Sequence, residues 1–177
     1  MSQQDALGGI AGLDAQRSYE LRGHRPAVIE AADRALEALF DVAEGDEAPG
    51  LTRSLRLLAA ARAAIVDGAA ELGAFYLEQV EEEPGSAELH AHAYQLLAHG
   101  GSDSEAGLTA SRRVRALLRH TDLLVQRPAA STADDLTSLQ AAGYSVQEIV
   151  VLAQVVTFVT YQARVLHGLR ILEEASR

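Results

Sequence analysis

Residues 144–174, YSVQEIVVLAQVVTFVTYQARVLHGLRILEE, decide the fold class of this chain. Ser145 and Glu148 have the spacing of a capping box, which marks the start of a helix. From residue 149 to residue 159 the segment is apolar nearly all round, as in a helix that packs on every side. We therefore expect a long, buried C-terminal helix that is the central element of the fold.

The rest of the chain shows the same helical periodicity. Apolar residues recur every three or four positions, and Gly and Pro separate these stretches. The pattern predicts further helices that begin near Pro26, Thr52, Ala69, Ser86, Thr109 and Thr132. No strand pattern competes with them, so the predicted class is all-α. Residues 1–24 form a Gly-containing N-terminal arm, ordered only where it docks, and residues 25–177 form a single helical domain.

The net charge and the distribution of apolar residues indicate which binding partners and which cellular location to expect. The formal net charge is −10 and lysine is absent. Such a chain repels phosphate backbones and anionic lipid, so neither nucleic acid nor a membrane surface is an expected partner. The N-terminus lacks the features of a signal peptide. The apolar stretch 149–159 is interrupted by Gln154 and is expected to be too short to span a bilayer. A cytoplasmic location is the expectation.

Cofactor and metal chemistry have little support in the sequence. The chain contains no cysteine, which excludes a disulfide, a thiolate nucleophile and a thiolate-bound metal. No glycine-rich phosphate loop is present, so no cofactor is expected. His90 and His92 point in different directions on a helix and cannot chelate one ion. Zinc would need His99 and distant carboxylates, while His120 and His167 are isolated, so no metal is expected.

Residues 52–76, TRSLRLLAAARAAIVDGAAELGAFY, resemble the core of the alkylhydroperoxidase D and carboxymuconolactone decarboxylase superfamily. Peroxidase-type members have an Arg-Glu pair, an Arg six residues after the first, then Asn-Gly-Cys-x-x-Cys, and a His four residues further on. Arg56 and Arg62 match the two arginines, and Asp67-Gly68 replaces Asn-Gly. The positions of the glutamate, the two cysteines and the histidine hold Leu57, Ala69, Leu72 and Tyr76.

Two later blocks are similar to the peroxidase-related branch of that superfamily. Residues 117–149 contain RPAASTADDLTSLQAAGYSVQEI, and the branch has Pro, a Thr four residues on, Asp, and then Leu-x-x-Ala-Gly-Phe-Ser-x-x-Glu-Ile. Residues 158–169, FVTYQARVLHGL, are similar to FNFVNRIADGL. There Arg164, Gly168 and Leu169 match, and Ala163 replaces the second Asn. The resemblance implies an alkylhydroperoxidase D-like helical domain over residues 25–177 and a symmetric homo-oligomer.

The departures from the family pattern remove its chemistry. In the family, the glutamate and the histidine serve a proton relay to a cysteine pair that reduces peroxide, and this reaction requires a thiolate. Ala69 and Leu72 remove both thiols, and Leu57 removes the carboxylate. We therefore expect no cysteine-dependent peroxidase activity and a vestigial site at Leu57, Ala69, Glu71, Leu72 and Tyr76.

Four residues near this site allow two interpretations each. Glu71 and Tyr76 could act as a base and a hydrogen-bond donor, or they are a surface Glu and an amphipathic Tyr at a helix boundary. Arg56 and Arg62 are ligand-binding candidates for an anion in the vacated pocket. Alternatively, they pair with acidic side chains and hold the helices together, the expected partners being Asp67, Glu71 or Glu78.

Two hypotheses for the function follow from these residues. In the first, the chain is a catalytically degenerate member of the superfamily that serves as an oligomeric scaffold or as a companion subunit of a cysteine-bearing relative. The alternative is a cysteine-independent, decarboxylase- or lyase-like enzyme that acts on a small organic anion. A pocket filled by apolar side chains favours the first, and an arginine-lined cavity favours the second. Apolar stripes at 29–43 and 114–125 predict a homo-oligomer, and the alternative is a compact monomer with both stripes turned inward.

Overall fold

The computed structural model describes residues 6–42, 48–83 and 111–176. Within these ranges the chain is all-α, as predicted, with no strand. The helices are α1 (Ala6–Ile10), α2 (Ala15–Arg22), α3 (Pro26–Phe40), α4 (Arg53–Val66), α5 (Ala70–Glu82), α6 (Arg112–Gln126), α7 (Ala133–Ala141) and α8 (Val146–Ala175), with a 3-10 helix at Pro128–Ala130. The helix predicted to begin at Ser86 lies outside the described residues.

Side-chain caps determine where several helices begin. The capping box predicted for α8 is present: the Glu148 backbone N–H donates to Ser145 Oγ at 3.2 Å, and the Ser145 N–H donates to the Glu148 carboxylate at 2.9 Å. At α7, the Thr132 N–H donates to the Asp135 carboxylate at 2.9 Å. Ser111 caps α6, which therefore begins slightly later than predicted. These local signals were readable from the sequence.

Among the described helices, α4 is the most completely buried. Every residue from 56 to 64 is buried, and the helix packs against α3, α5, α6 and α8. Of the 30 residues of α8, ten are buried, while Val146 and Val150 on its outer face are more than half exposed. The long, partly buried C-terminal helix is present, but the prediction that it is the central element is wrong. The five alanines of α4 let neighbouring helices approach it from several directions.

A tight turn joins α4 and α5 into an αα-hairpin. Gly68 in the turn has a φ of 82°, a left-handed conformation that glycine adopts without strain. At Gly73 the two helices approach so closely that a Cβ would lie 2.6 Å from Ile65 Cγ1. The principal neighbour of α5 is therefore α4. The sequence also predicts that the helix after Gly68 packs against the C-terminal helix, and α5 does contact α8, through the Tyr76–Gln162 hydrogen bond and the Glu71–Arg170 ion pair.

The N-terminal segment docks on the rest of the domain. Leu7 on α1 is buried in the core, and α1 packs against α5 and α8. Asp14 caps α2 by accepting a hydrogen bond from the Arg17 N–H at 2.7 Å. The Arg17 guanidinium reaches Glu173 at the end of α8, with an N–O distance of 2.7 Å. The sequence predicted that this arm would be ordered only where it docks, and α1 and α2 are helical where they contact the domain.

Among the described helices, α8 is long and apolar enough to cross a membrane, judged by length and composition alone. The expectation that its apolar stretch is too short is therefore wrong on length, because the helix continues on both sides of residues 149–159. A core helix of a soluble protein passes the same test. Here α8 packs against α1, α3, α4, α6 and α7.

Arg113 on α6 joins the segments that precede α4 and α8 to the first turn of α8. Its guanidinium donates to the carbonyl oxygens of Gly50 at 2.7 Å and Gly143 at 2.6 Å, and to the Glu148 carboxylate at 3.2 Å. It also lies 4.1 Å from the centroid of the Tyr144 ring, in a cation–π contact. A Cβ on Gly50 would overlap Glu148 Oε1 and lie 3.0 Å from its Cδ. The cluster leaves no room for a side chain at this position.

We predict that Gly50→Ala lowers the free energy of unfolding by about 1–3 kcal/mol, because the new methyl group displaces Glu148 and Arg113 from this cluster. Gly168→Ala is the matched control: a Cβ there meets nothing within 4 Å, and alanine in a helix is about 0.5–1 kcal/mol better than glycine. Urea denaturation followed by circular dichroism measures both. Equal stability of Gly50→Ala and the parent would contradict the packing described.

Candidate functional site

The five predicted site positions lie on α4 and around the start of α5, but they do not form an accessible site. Leu57, Leu72 and Tyr76 have no exposed surface, and Ala69 is 8% exposed. Of the five, Glu71 is the one whose side chain projects into solvent, with 61% of it exposed. The positions of the relay are therefore filled by side chains of the hydrophobic core.

Arg56 is a buried structural residue at the start of α4. The residue is 2% exposed. Its guanidinium donates from Nε to the carbonyl oxygen of Leu51 at 2.8 Å and from Nη1 to that of Leu39 at 3.0 Å. These bonds fasten the end of α3 and the segment before α4 to the central helix. The acceptors in these bonds are backbone carbonyls, and not the predicted carboxylates of Asp67, Glu71 or Glu78.

Arg62 pairs with Asp122 across α4 and α6. The Nε–Oδ1 distance is 2.6 Å and the Nη2–Oδ2 distance is 3.0 Å, which is a bidentate geometry. The two side chains are 10% and 20% exposed. The expectation of an acidic partner for Arg62 was right in kind, but the expected partners Asp67, Glu71 and Glu78 were wrong.

Tyr76 is a core hydrogen-bond donor. Its hydroxyl donates to Gln162 Oε1 on α8 at 2.5 Å. Its ring stacks on Phe40 and meets the edge of Phe75, both at a centroid distance of 5.2 Å. Burial raises the pKa of the phenol far above its ordinary value, so the hydroxyl keeps its proton.

Glu71 and Tyr76 do not act together. The Glu71 carboxylate lies 3.0 Å from Arg170 Nη2 on α8. Its own backbone N–H and Arg170 lower the pKa of this carboxyl group. The two side chains thus have separate partners, one at the surface and one in the core, and the geometry favours the surface-and-boundary interpretation over a base–donor pair.

A cleft of about 360 Å³ opens beside Ala69, between the α4–α5 turn and the C-terminal half of α8. The turn contributes Asp67, Gly68 and Ala69, and α8 contributes Ala163, Arg164, Leu166, His167 and Arg170. Three of these side chains are basic and recur at every third position of α8, on one side of the helix. Their spacing of three residues is the sequence signal that places them on one face of α8.

The histidines do not form a metal site in the part of the chain that the structure describes, where no three His, Asp or Glu side chains are placed to hold an ion. His90, His92 and His99 lie outside that part. His120 is 5% exposed, and its Nδ1 has no hydrogen-bond partner. Burial lowers the pKa of its imidazole, against a smaller opposing effect of Asp135.

No family model, no curated protein and no solved structure matches this chain. The superfamily resemblance thus depends on the residues quoted from the sequence.

We predict that Tyr76→Phe lowers the free energy of unfolding by about 1–3 kcal/mol, because it leaves Gln162 Oε1 unpaired in the core. Tyr161→Phe removes the same hydroxyl from a side chain that is 37% exposed, and a surface change of this kind alters stability by at most about 0.5 kcal/mol. Urea denaturation compares the two variants. Equal losses from both would show that the Tyr76–Gln162 bond is not a stabilising contact.

Proposed function

We propose that this chain is a catalytically silent helical subunit, a degenerate relative of the alkylhydroperoxidase D and carboxymuconolactone decarboxylase superfamily. It has no thiol peroxidase activity and serves in an oligomer, either as a scaffold or beside a cysteine-bearing relative. The observation that carries the proposal is the filled relay site, in which Leu57, Leu72 and Tyr76 have no exposed surface.

The two matched arginines also favour the silent subunit over an enzyme. Arg56 is bound to backbone carbonyls and Arg62 to Asp122. Both residues are buried, at 2% and 8% exposure. A decarboxylase- or lyase-like enzyme for a small organic anion would need such a guanidinium free to meet its substrate. Neither arginine has the access that this alternative requires.

Surface apolarity supports assembly, although not through the stripes predicted for it. The stripe on α6 faces inward, with Val114, Leu117 and Leu118 buried. On α3, Phe40 is buried, and Leu36 and Leu39 are partly buried and pack against the core. The outer face of α8 carries Val146 and Val150 at 59% and 52% exposure. Self-association through α8 would cover this face, since exposed apolar patches mark interaction sites.

We place the protein in the cytoplasm as part of the same proposal. The net charge of −10 disfavours contact with anionic lipid. The inward face of α8 packs against several helices of the domain, and Glu148 and Gln162 are buried there with polar partners inside the protein. Fractionation of cells that express the full chain tests this point: recovery in the membrane pellet after a high-salt wash would contradict it.

We predict that the pure protein consumes no peroxide with a dithiol reductant beyond a heat-killed control, because it has no thiol. Ala69→Cys with Leu72→Cys should restore little activity. Leu57 supplies no carboxylate for a relay, and position 72 is fully buried. Strong turnover by that double variant would overturn the relay argument, and turnover by the parent would overturn the proposal itself.

We predict that light scattering coupled to size exclusion gives a mass of at least two chains, each of 18.8 kDa. Val150→Glu should shift the distribution towards monomer, because it places a charge on the exposed apolar face of α8. Gln140→Glu adds the same charge at an exposed polar position of α7, away from this face, and should not shift it. A single-chain mass for the parent across a wide concentration range would contradict assembly. Co-purification with a cysteine-bearing relative would identify the companion role.

A further inference from the structure

We propose that the cleft between the α4–α5 turn and α8 binds a small organic monocarboxylate, with Arg164 as the main contact for its carboxylate group. This inference goes beyond the subunit role, and it holds whether or not the chain assembles. It concerns side chains that the vestigial relay does not include.

The basic side of the cleft is a concentration of positive charge in an acidic chain. Arg164, His167 and Arg170 line the cleft from one side of α8. Arg164 and His167 are exposed. Within the described residues Arg164 has no ion pair, whereas Arg170 is bound to Glu71 at 3.0 Å. A guanidinium that lines a cleft without a carboxylate partner is suited to accept one from a ligand, in bidentate geometry.

Apolar residues also line the cleft. Ala69 lies at the α4–α5 turn, and Ala163 and Leu166 lie on α8 beside the basic residues; all three are largely buried, at 8%, 6% and 1% exposure. The volume of about 360 Å³ is at the lower end of the range for small-molecule sites, which combine apolar walls with a few polar groups. Apolar walls beside a guanidinium fit an organic acid with a hydrocarbon body better than they fit an inorganic ion.

Two carboxylates restrict the charge of the ligand, one that lines the cleft and one that is bound to a lining arginine. Asp67 lines the cleft opposite α8, so a second negative charge on a ligand would be repelled there. Glu71 binds Arg170 and keeps this second guanidinium from the ligand. The arrangement therefore selects one carboxylate group over a dianion, and removal of the Glu71 charge would make a second cation available.

Isothermal titration of the full chain at low ionic strength tests the site with benzoate as the probe. We expect saturable binding with a Kd of about 1 mM, the affinity of roughly one good ion pair with some apolar contact. Benzamide, the neutral analogue, should bind at least tenfold more weakly. Inorganic phosphate, which has no apolar body, should also bind at least tenfold more weakly.

Three variants test the assignment of residues. Arg164→Gln should weaken benzoate binding at least fivefold, and Glu71→Gln should strengthen it severalfold by releasing Arg170. Arg34→Gln is the control: this arginine lies on α3, its side chain is 69% exposed, and its removal should leave the Kd unchanged. Circular dichroism checks that each variant keeps the helical fold.

The proposal is overturned if benzoate shows no saturable binding at tens of millimolar, or if Arg164→Gln leaves the Kd unchanged. Equal affinity for benzoate and phosphate would overturn the organic part of the assignment, and equal affinity for benzoate and benzamide would overturn the role of charge. None of these results bears on peroxide turnover or on oligomer mass, so failure of this site and failure of the proposed subunit role are separate outcomes.

Discussion

Two buried guanidinium groups project from α4, the helix against which α3, α5, α6 and α8 pack. The groups that they bind fix the positions of neighbouring segments. Arg56 binds the backbone at the end of α3 and before α4, and Arg62 binds Asp122 on α6. A buried guanidinium that loses its partner costs several kcal/mol, because its desolvation is then uncompensated. The helices around α4 must therefore present carbonyl or carboxylate oxygens at these two places.

The same constraint bears on the positions that resemble the site of the alkylhydroperoxidase D superfamily. Arg56 and Arg62 are bound within the fold, and Leu57, Leu72 and Tyr76 belong to the hydrophobic core. The accessible charged chemistry near the α4–α5 turn lies instead on α8, where Arg164 borders a cleft. This surface, and not the buried positions, is where we infer a binding site.

Local features were predictable from the sequence, and pairings between distant segments were not. The Ser145–Glu148 capping box and the helical class depend on residues a few positions apart, and both were found correctly. The partner of Arg62 is 60 positions away, and the choice among acidic residues depends on how α4 and α6 cross. Apolar content made the C-terminal helix look central, but content does not show which face a helix leaves exposed. The superfamily assignment and the function stay predictions.

The central claim, that the matched arginines serve the fold and not a ligand, is tested most directly by a double-mutant cycle on Arg62 and Asp122. Urea denaturation would give the free energies of unfolding of Arg62→Met, Asp122→Asn and the double variant. The account predicts that each single change costs on the order of 2 kcal/mol and that the double change costs little more, a coupling of at least about 1 kcal/mol. A coupling near zero, with Arg62→Met as stable as the parent, would contradict it.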